Sequence, residues 1–399
     1  QNMDARKLQT AQEYLEARRI STIAFVGSMD AEKAMKEIEE ERAKGDGSAE
    51  YWGSFAEDGT MTSHLINNIY HILYDGRIVL SGGIGNVSSL PEHRRQGGIR
   101  EIFRAMFADM RARGFVFSAL YPFSHEYYRK FGYEYGCAPL RQKFLVSDLK
   151  GFPCPYSVRM HKPGECIQPF QDVYQRFILG RNLAIVRSEA QWDWIEGDPW
   201  KDRIYRYLLA DDAGVHAYVV LRAEGSGDER KAVLKDFAYD SREAFYGILG
   251  FLYRLSAQYK YVEAVFPPNI DMRTLIAEPY RVEQRVDTHG MFRVVDVPQA
   301  LRLMRHPEAP GRYVIGVKDA FLPENTGVYA VRFGQGKAEV ERADAPADLV
   351  VDVTTLAQLT LGFAPLDTLR MRPDVEVRGN EETLRAVFVK KDCYFADYF

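Results

Sequence analysis

Residues 87–121 decide the fold. They open Val87-Ser88-Ser89-Leu90-Pro91-Glu92-His93-Arg94-Arg95-Gln96-Gly97-Gly98-Ile99 and run on to Tyr121. Ile99, Ile102, Phe103, Met106, Phe107 and Met110 recur at helical spacing, which predicts one apolar face. Gly114 stops that helix. Phe115 to Tyr121 is uncharged and aromatic-rich, suited to a strand covered on both sides. Upstream, the glycine-rich run Gly82-Gly83-Ile84-Gly85-Asn86 leads to a strand end near Ser89. Strand, loop, helix and strand make a β-α-β crossover, with parallel strands expected.

Working outward, the first 45 residues read as two helices. The second, about Asp30 to Lys44, mixes Glu32, Glu37, Glu39, Glu40 and Glu41 with Lys33, Lys36 and Arg42. It reads as a solvated face or as an acidic rim that attracts cations. Tyr51–Phe55, His64–Tyr74 and Arg77–Ile84 read as strands, with Asp58-Gly59 and Asp75-Gly76 as turns. The crossover grammar recurs downstream. Lys231–Ala238 is a strand, Phe245 to Tyr253 a helix face after a Ser241 N-cap, and Tyr261–Phe266 a second strand. The two loops differ: the first is basic and glycine-rich, while Tyr239-Asp240-Ser241-Arg242-Glu243 has acids and no glycine. From Gly311 to Val353 the chain alternates apolar and polar, then turns helical near Leu356–Leu361, as in a small α+β domain. The expected domains are 1–150, 151–295 and 296–399.

Composition excludes several classes. A chain of 399 residues suits two or three domains of about 150 residues. Its 52 basic and 56 acidic residues leave a net charge of −4, with no cationic excess for a nucleic-acid backbone. Apolar residues at 46% are too many for disorder. No stretch reaches the roughly 20 apolar residues of a membrane span, and no export signal is expected, with Gln1-Asn2 ahead of Met3 read as an expression leftover. Four scattered cysteines and eight histidines without ligand spacing suggest a reduced, metal-free cytoplasmic protein.

The first loop has definite chemistry. A helix N-terminus offers unpaired N–H groups and about half a positive charge, and glycines let a phosphate approach the backbone. Arg94 and Arg95 add cations. A ligand with a pyrophosphate and an amide-bearing arm, such as coenzyme A, suits the loop and the glycine-rich strand together. Competing motifs fail: Gly334-Gln335-Gly336-Lys337 is followed by Ala338, and Gly83-Ile84-Gly85 lacks a third glycine at Ser88.

The loop resembles the acetyl-CoA motif R-x-x-G-x-G/A of the GNAT N-acetyltransferases, with Arg94 and Gly97 as anchors and Ile99 at the last small position. Ile99 departs from the general pattern but is similar to the enhanced-intracellular-survival (Eis) subfamily, as are Tyr128-Arg129-Lys130-Phe131-Gly132-Tyr133 and the segment Lys235–Tyr239. The resemblance implies an α/β fold: tandem GNAT domains with mixed central sheets, the second without a cofactor loop, and a C-terminal sterol-carrier-protein-like α+β domain. It also implies a homo-oligomer, a hexamer, acting on a primary amine of aminoglycoside or lysine type.

The resemblance further implies a set of roles. Val87, Ser88 and Ser89 hold the pantetheine arm. Arg94, Arg95, Gln96, Gly97, Gly98, Ile99 and Arg100 hold the pyrophosphate. Phe123 and Ser124 lie near the thioester, Tyr128 is the general acid, and the Phe399 carboxylate is the base. No metal is required. The aromatic chain end, Tyr394 to Phe399, independently reads as a docked tail, because rings of this size are costly to leave in water. Tyr133 is expected to pack. The rival reading is an apolar-ligand carrier built on the third domain, with the GNAT domains as scaffold.

Overall fold

A computed structural model describes residues 3–45 and 47–397. The described residues form two compact units: those up to 137 with 289–391 and 397, and residues 138–288 with 392–396.

The first unit begins with strand β1 (Asp4–Lys7) and helices α1 (Ala11–Ala24) and α2 (Ala31–Lys44). Thr10 and Glu13 close a capping box on α1, and Asp30 caps α2. Strands β2 (Ala49–Phe55), β3 (Met61–Tyr74) and β4 (Arg77–Ser89) form an antiparallel meander. Asp75 and Gly76 both have positive φ, as the Asp-Gly hairpin signal demands. Next come α3 (Gly98–Ala112), β5 (Phe117–Leu120), α4 (His125–Arg129) and β6 (Glu134–Tyr135). β1 carries no strand signal in its sequence; its charged Asp4, Arg6 and Lys7 suit an edge strand.

The expected crossover is present. β4 and β5 are parallel, pairing Ser81 with Phe117 through Ile84 with Leu120. The predicted apolar face of α3 is buried from Ile99 to Met110. The strand starts two residues later than expected; ahead of it Phe115 N–H bonds back to the Met110 carbonyl of α3, and Val116 N–H already bonds to the Leu80 carbonyl of β4.

The sheet runs β1-β2-β3-β4-β5, then Met291–Val294, then β6. A strand from far downstream thus fills the place beside β5, antiparallel to it. The second unit has a counterpart: Leu140–Leu145, from before residue 150, pairs with Tyr261–Phe266. In that unit Lys231–Tyr239 and Tyr261–Phe266 are parallel and joined by the helix Arg242–Tyr253.

The five-stranded third sheet, 311–377, completes the first unit. Its helix Val353–Leu361 is buried along its whole length, and Gln358 donates to the Tyr135 carbonyl at 2.9 Å. A fully buried bidentate pair, Arg293 to Asp319 at 2.7 and 2.8 Å, ties the same sheet to the strand Met291–Val294.

Candidate active site

The loop between β4 and α3 leaves the start of α3 open. Gly97 occupies the N-cap position in the left-handed region (φ 94°), and no side chain caps the helix. The first intrahelical bond runs from Glu101 N–H to the Gly97 carbonyl, 3.1 Å, which leaves the N–H groups of Gly98, Ile99 and Arg100 without helical acceptors. Arg95 also has positive φ, 64°, on the other side of Gln96. Such alternation of φ sign is how anion-binding nests are built, and strained residues of this kind cluster at functional sites. Arg94, Arg95 and Arg100 are exposed and, among the described residues, have no carboxylate partner, whereas Arg104, Arg113 and Arg129 are all ion-paired. Gln96 is held by His93 and the Glu92 carbonyl.

Gly98 is required for a different reason. A Cβ there would lie 2.5 Å from Ser63 Oγ and 2.6 Å from Ser54 Oγ. These hydroxyls, with Thr62 and Ser89, form a polar shelf under the helix start (Ser54–Thr62 2.8 Å, Ser63–Ser89 2.7 Å). The glycine-rich β4 needs a correction. The sequence leaves Gly82 open to a passing ligand backbone, yet that space holds Met110 Cε and Asn67 Oδ1, 2.3 and 2.4 Å from a notional Cβ. Gly82 serves sheet–helix packing.

Beyond Ile84, β4 leaves β5 and stays with β3 alone, through a bulge in which Asn86 has φ 52°. The bulge sets the strand end: Val87 packs into the α3 core, Ser88 is buried, and Ser89 joins the hydroxyl shelf.

Tyr128 is buried in the same apolar cluster as Val87 and Ile99. Ser124 spends its hydroxyl capping α4, accepting from Tyr127 N–H at 3.2 Å. Phe123 is 74% exposed, its ring edge-on to Tyr128 at 5.3 Å. Burial pushes the Tyr128 phenol well above its usual pKa, so it holds its proton throughout the physiological range. The rest of the Phe-Gly-Tyr segment is structural. Gly132 (φ 85°) abuts Arg293, where a Cβ would meet the guanidinium carbon at 2.6 Å. Phe131 is in the core, and Tyr133 is buried with its hydroxyl 2.7 Å from Ser118 Oγ.

A cavity of about 580 Å³ lies beside α1 and α2, lined in part by Arg18, Asp30, Lys33, Glu37, His64 and Asn86. Its charges balance, and Arg18 is paired with Glu37 and Glu41 at 2.8 and 3.0 Å. Of the acids on α2, therefore, two serve to bind α1, while Glu32, Glu39 and Glu40 sit on the exposed face. No local pattern marks His64, which is isolated on a strand; the Gly85-Asn86 pair is a usable bulge signal.

The tail is buried at Cys393, Tyr394 and Phe395. In the second unit Tyr394 N–H donates to the Asn182 carbonyl at 2.8 Å, and its ring meets Phe177 edge-on. In the first unit the Asp397 carbonyl accepts from the Tyr121 hydroxyl, just past β5, and the Asp397 carboxylate adds to burial in raising the Tyr70 phenol pKa. Phe399, the expected base, lies outside the described residues. Among the described residues no group of His, Cys, Asp and Glu could hold a metal, and no helix is long and apolar enough to cross a membrane.

The fold is shared with known proteins. Residues 4–136 and 183–294 each match an acetyltransferase (GNAT) domain family, and residues 297–396 match a sterol carrier protein domain family. N-acetyltransferase Eis of Mycobacterium tuberculosis (strain ATCC 25177 / H37Ra) is 25% identical over 315 residues, 74% of each chain. An uncharacterized N-acetyltransferase of Streptomyces avermitilis is 26% identical over 309 residues, 74% of this chain and 75% of its own. Among solved structures, a probable N-acyltransferase from Enterococcus faecalis V583 superposes with a TM-score of 0.86 at 23% identity, and Eis1 from Mycobacterium abscessus with 0.81 at 20%. Both alignments cover 100% of both chains, and at those identities they establish the fold.

Proposed function

Because the chain is an Eis-like tandem GNAT N-acetyltransferase with a sterol-carrier-protein-like domain, we propose that it moves the acetyl group of acetyl-CoA onto a primary amine by direct attack on the thioester. Catalysis belongs to residues 1–150, a scaffold role to 151–295, and the tail to 296–399. The single observation that carries this reading is the open start of α3, flanked by three exposed arginines without a carboxylate partner among the described residues, with its Ile99 in one apolar cluster with the buried Tyr128.

The N–H groups of Gly98, Ile99 and Arg100, with Arg94, Arg95 and the Gln96-Gly97 turn, take the pyrophosphate. The backbone of Val87, Ser88 and Ser89, freed from β5, takes the amides of the pantetheine arm. Phe123 covers the thioester end beside Ser124. The amine, mostly protonated at neutrality, loses a proton before attack; the Phe399 carboxylate accepts it directly or through water. The new C–N bond forms and the C–S bond breaks; Tyr128 donates its proton to the departing thiolate, and the proton that the acylated nitrogen then loses returns to the tyrosinate through water. Burial raises the phenol pKa and raises that of the thiolate in the same site, so the transfer stays close to balanced.

The acceptor enters the cavity between α1, α2 and Asn86. Its balanced charge suits a monoamine better than a polycation, which narrows the aminoglycoside-or-lysine expectation toward the lysine type. We also propose a cytoplasmic homo-oligomer, a hexamer as in the Eis resemblance. The test is CoA release across an amine panel with acetyl-CoA binding measured in parallel. Binding without turnover on any amine overturns the reading.

A further inference from the structure

We infer that Arg372, from the region that matches the sterol carrier protein family, is a positioning residue for Tyr128 and acts on it through Glu134 and Arg129. This rests on the acetyl-transfer reading, in which Tyr128 is the acid. All four residues lie in the first unit.

Tyr128 stands on a helix that cannot hold itself. α4 has five residues, far fewer than an isolated helix needs. Ser124 caps its start, and its end closes onto the β6 side by two links. The Tyr128 carbonyl accepts from Phe131 N–H at 3.0 Å and from Tyr133 N–H at 3.3 Å. The Arg129 guanidinium forks onto the Glu134 carboxylate, Nη2 to Oε1 at 2.9 Å and Nε to Oε2 at 3.0 Å. Through that fork, the place of Glu134 sets how α4 is turned about its axis, and so where the Tyr128 ring lies. Arg129 is half-exposed, which makes its pair weak on its own, while the Glu134 side chain is fully buried and needs more compensation.

Arg372 supplies it. Its Nη1 donates to Glu134 Oε2 and to Gln358 Oε1, 3.2 Å each. Its Nε donates to Asp374 at 3.2 Å and its Nη2 to Thr354 at 3.3 Å. Asp374 is held in turn by the Thr355 hydroxyl at 2.6 Å and the Asp352 N–H at 3.1 Å. All three guanidinium nitrogens are therefore fixed, and Gln358 also holds the Tyr135 carbonyl next to Glu134. Thr354, Thr355 and Gln358 are buried polar groups on the largely apolar helix Val353–Leu361, and this network engages all three. The segment is braced from the same region at a second point: Gly132 abuts Arg293, whose partner is Asp319.

Without Arg372, Glu134 Oε2 is left with Arg129 Nε among the described residues. A buried carboxylate so under-paired turns toward water and takes the Arg129 fork with it, and α4 follows. A displacement of about 1 Å can cost about 100-fold in rate, and Tyr128 is held partly by its apolar neighbours, so a smaller loss is expected.

Two measurements on the full chain test this. The first is steady-state kinetics with acetyl-CoA and Nα-acetyllysine methyl ester. Arg372→Met is expected to lower kcat about tenfold with KM for acetyl-CoA within about twofold. Arg372→Lys, which keeps a cation against Glu134, is expected to stay within about threefold of wild type. Arg378→Met removes an exposed pair with Glu376 in the same region and leaves kcat unchanged. A lower unfolding midpoint in Arg372→Met with kcat per folded enzyme unchanged is what a purely structural role gives, and it overturns the inference. Arg372→Lys no faster than Arg372→Met overturns it too. The second is fluorine NMR of protein labelled with 3-fluorotyrosine, the Tyr128 resonance being the one absent in Tyr128→Phe. That resonance is expected to move or split in Arg372→Met and to keep its place in Arg378→Met; no change in Arg372→Met overturns the inference. If Arg372→Met does not fold, Arg372→Gln, which keeps a neutral polar group beside Thr354 and Asp374, takes its place with the same expectations. A wild type that binds acetyl-CoA but acetylates no amine sinks the functional reading instead, and the fluorine spectrum then decides this one.

Discussion

The chain builds the same β-α-β crossover twice and finishes the helix start in opposite ways. At Ser241 the hydroxyl accepts from Ala244 N–H, 3.1 Å, and caps the helix Arg242–Tyr253. The neighbouring Asp240 is paired with His216 at 2.9 Å and with Arg176 at 3.4 Å. Both side chains are used inside the protein. At Gly97 no side chain caps α3, Arg95 and Gly97 hold positive φ, and three arginines stand without a carboxylate partner among the described residues. One crossover spends its helix terminus on stability, and the other leaves it available to an anion. The segments after the second strands differ too: Ser124 starts α4 and places Tyr128, whereas Phe266 runs into Pro267-Pro268.

That contrast can be broken by substitution. Tyr128→Phe removes the proposed proton donor that follows the first crossover, and kcat is expected to fall about 10²–10³-fold with KM for acetyl-CoA nearly constant. Comparable loss in both constants, measured by steady-state kinetics, would mean the ring serves the fold. Gly97→Glu puts an anion and a side chain into the left-handed turn. Acetyl-CoA affinity by calorimetry should drop about 100-fold, equivalent to roughly 2.7 kcal/mol, while Gly97→Ala, which keeps the strain without the charge, loses far less. Arg94→Ala with Arg95→Ala should raise KM for acetyl-CoA about tenfold at low salt, with the gap to wild type narrowing as ionic strength rises. A gap that ignores salt would remove these side chains from the phosphate site. Ser241→Ala should cost about 1 kcal/mol in denaturant unfolding and leave acetyl-CoA kinetics untouched; any change in cofactor KM would erase the difference between the two loops.

Much of this is legible from residue order alone. The Ile99 to Met110 periodicity, the Asp75-Gly76 hairpin and the Ser241 cap are local signals, and each corresponds to a local geometry. The loop and the Phe-Gly-Tyr segment are legible for the same reason. The features that escape depend on long-range pairing. Gly82 reads as a ligand rest, but its neighbours Asn67 and Met110 come from another strand and a helix. The contact of His64 with Ser21, and of Ser21 with Ser88, arises only when β3, α1 and β4 come together. Strand Asp4–Lys7 carries three charges in four residues, a pattern that resembles a solvated arm until it is seen at a sheet edge.

The place beside β5 is filled by Met291–Val294, and among the described residues β6 has no other neighbour in its sheet. During synthesis, then, the N-terminal sheet stays gapped until translation has passed Val294, with two unsatisfied edges exposed to anything else in the cell. Such non-local closure slows folding. It also means that no cut between the tandem copies yields a finished half, so duplication here has produced an interlocked pair that recombination cannot trade away piece by piece.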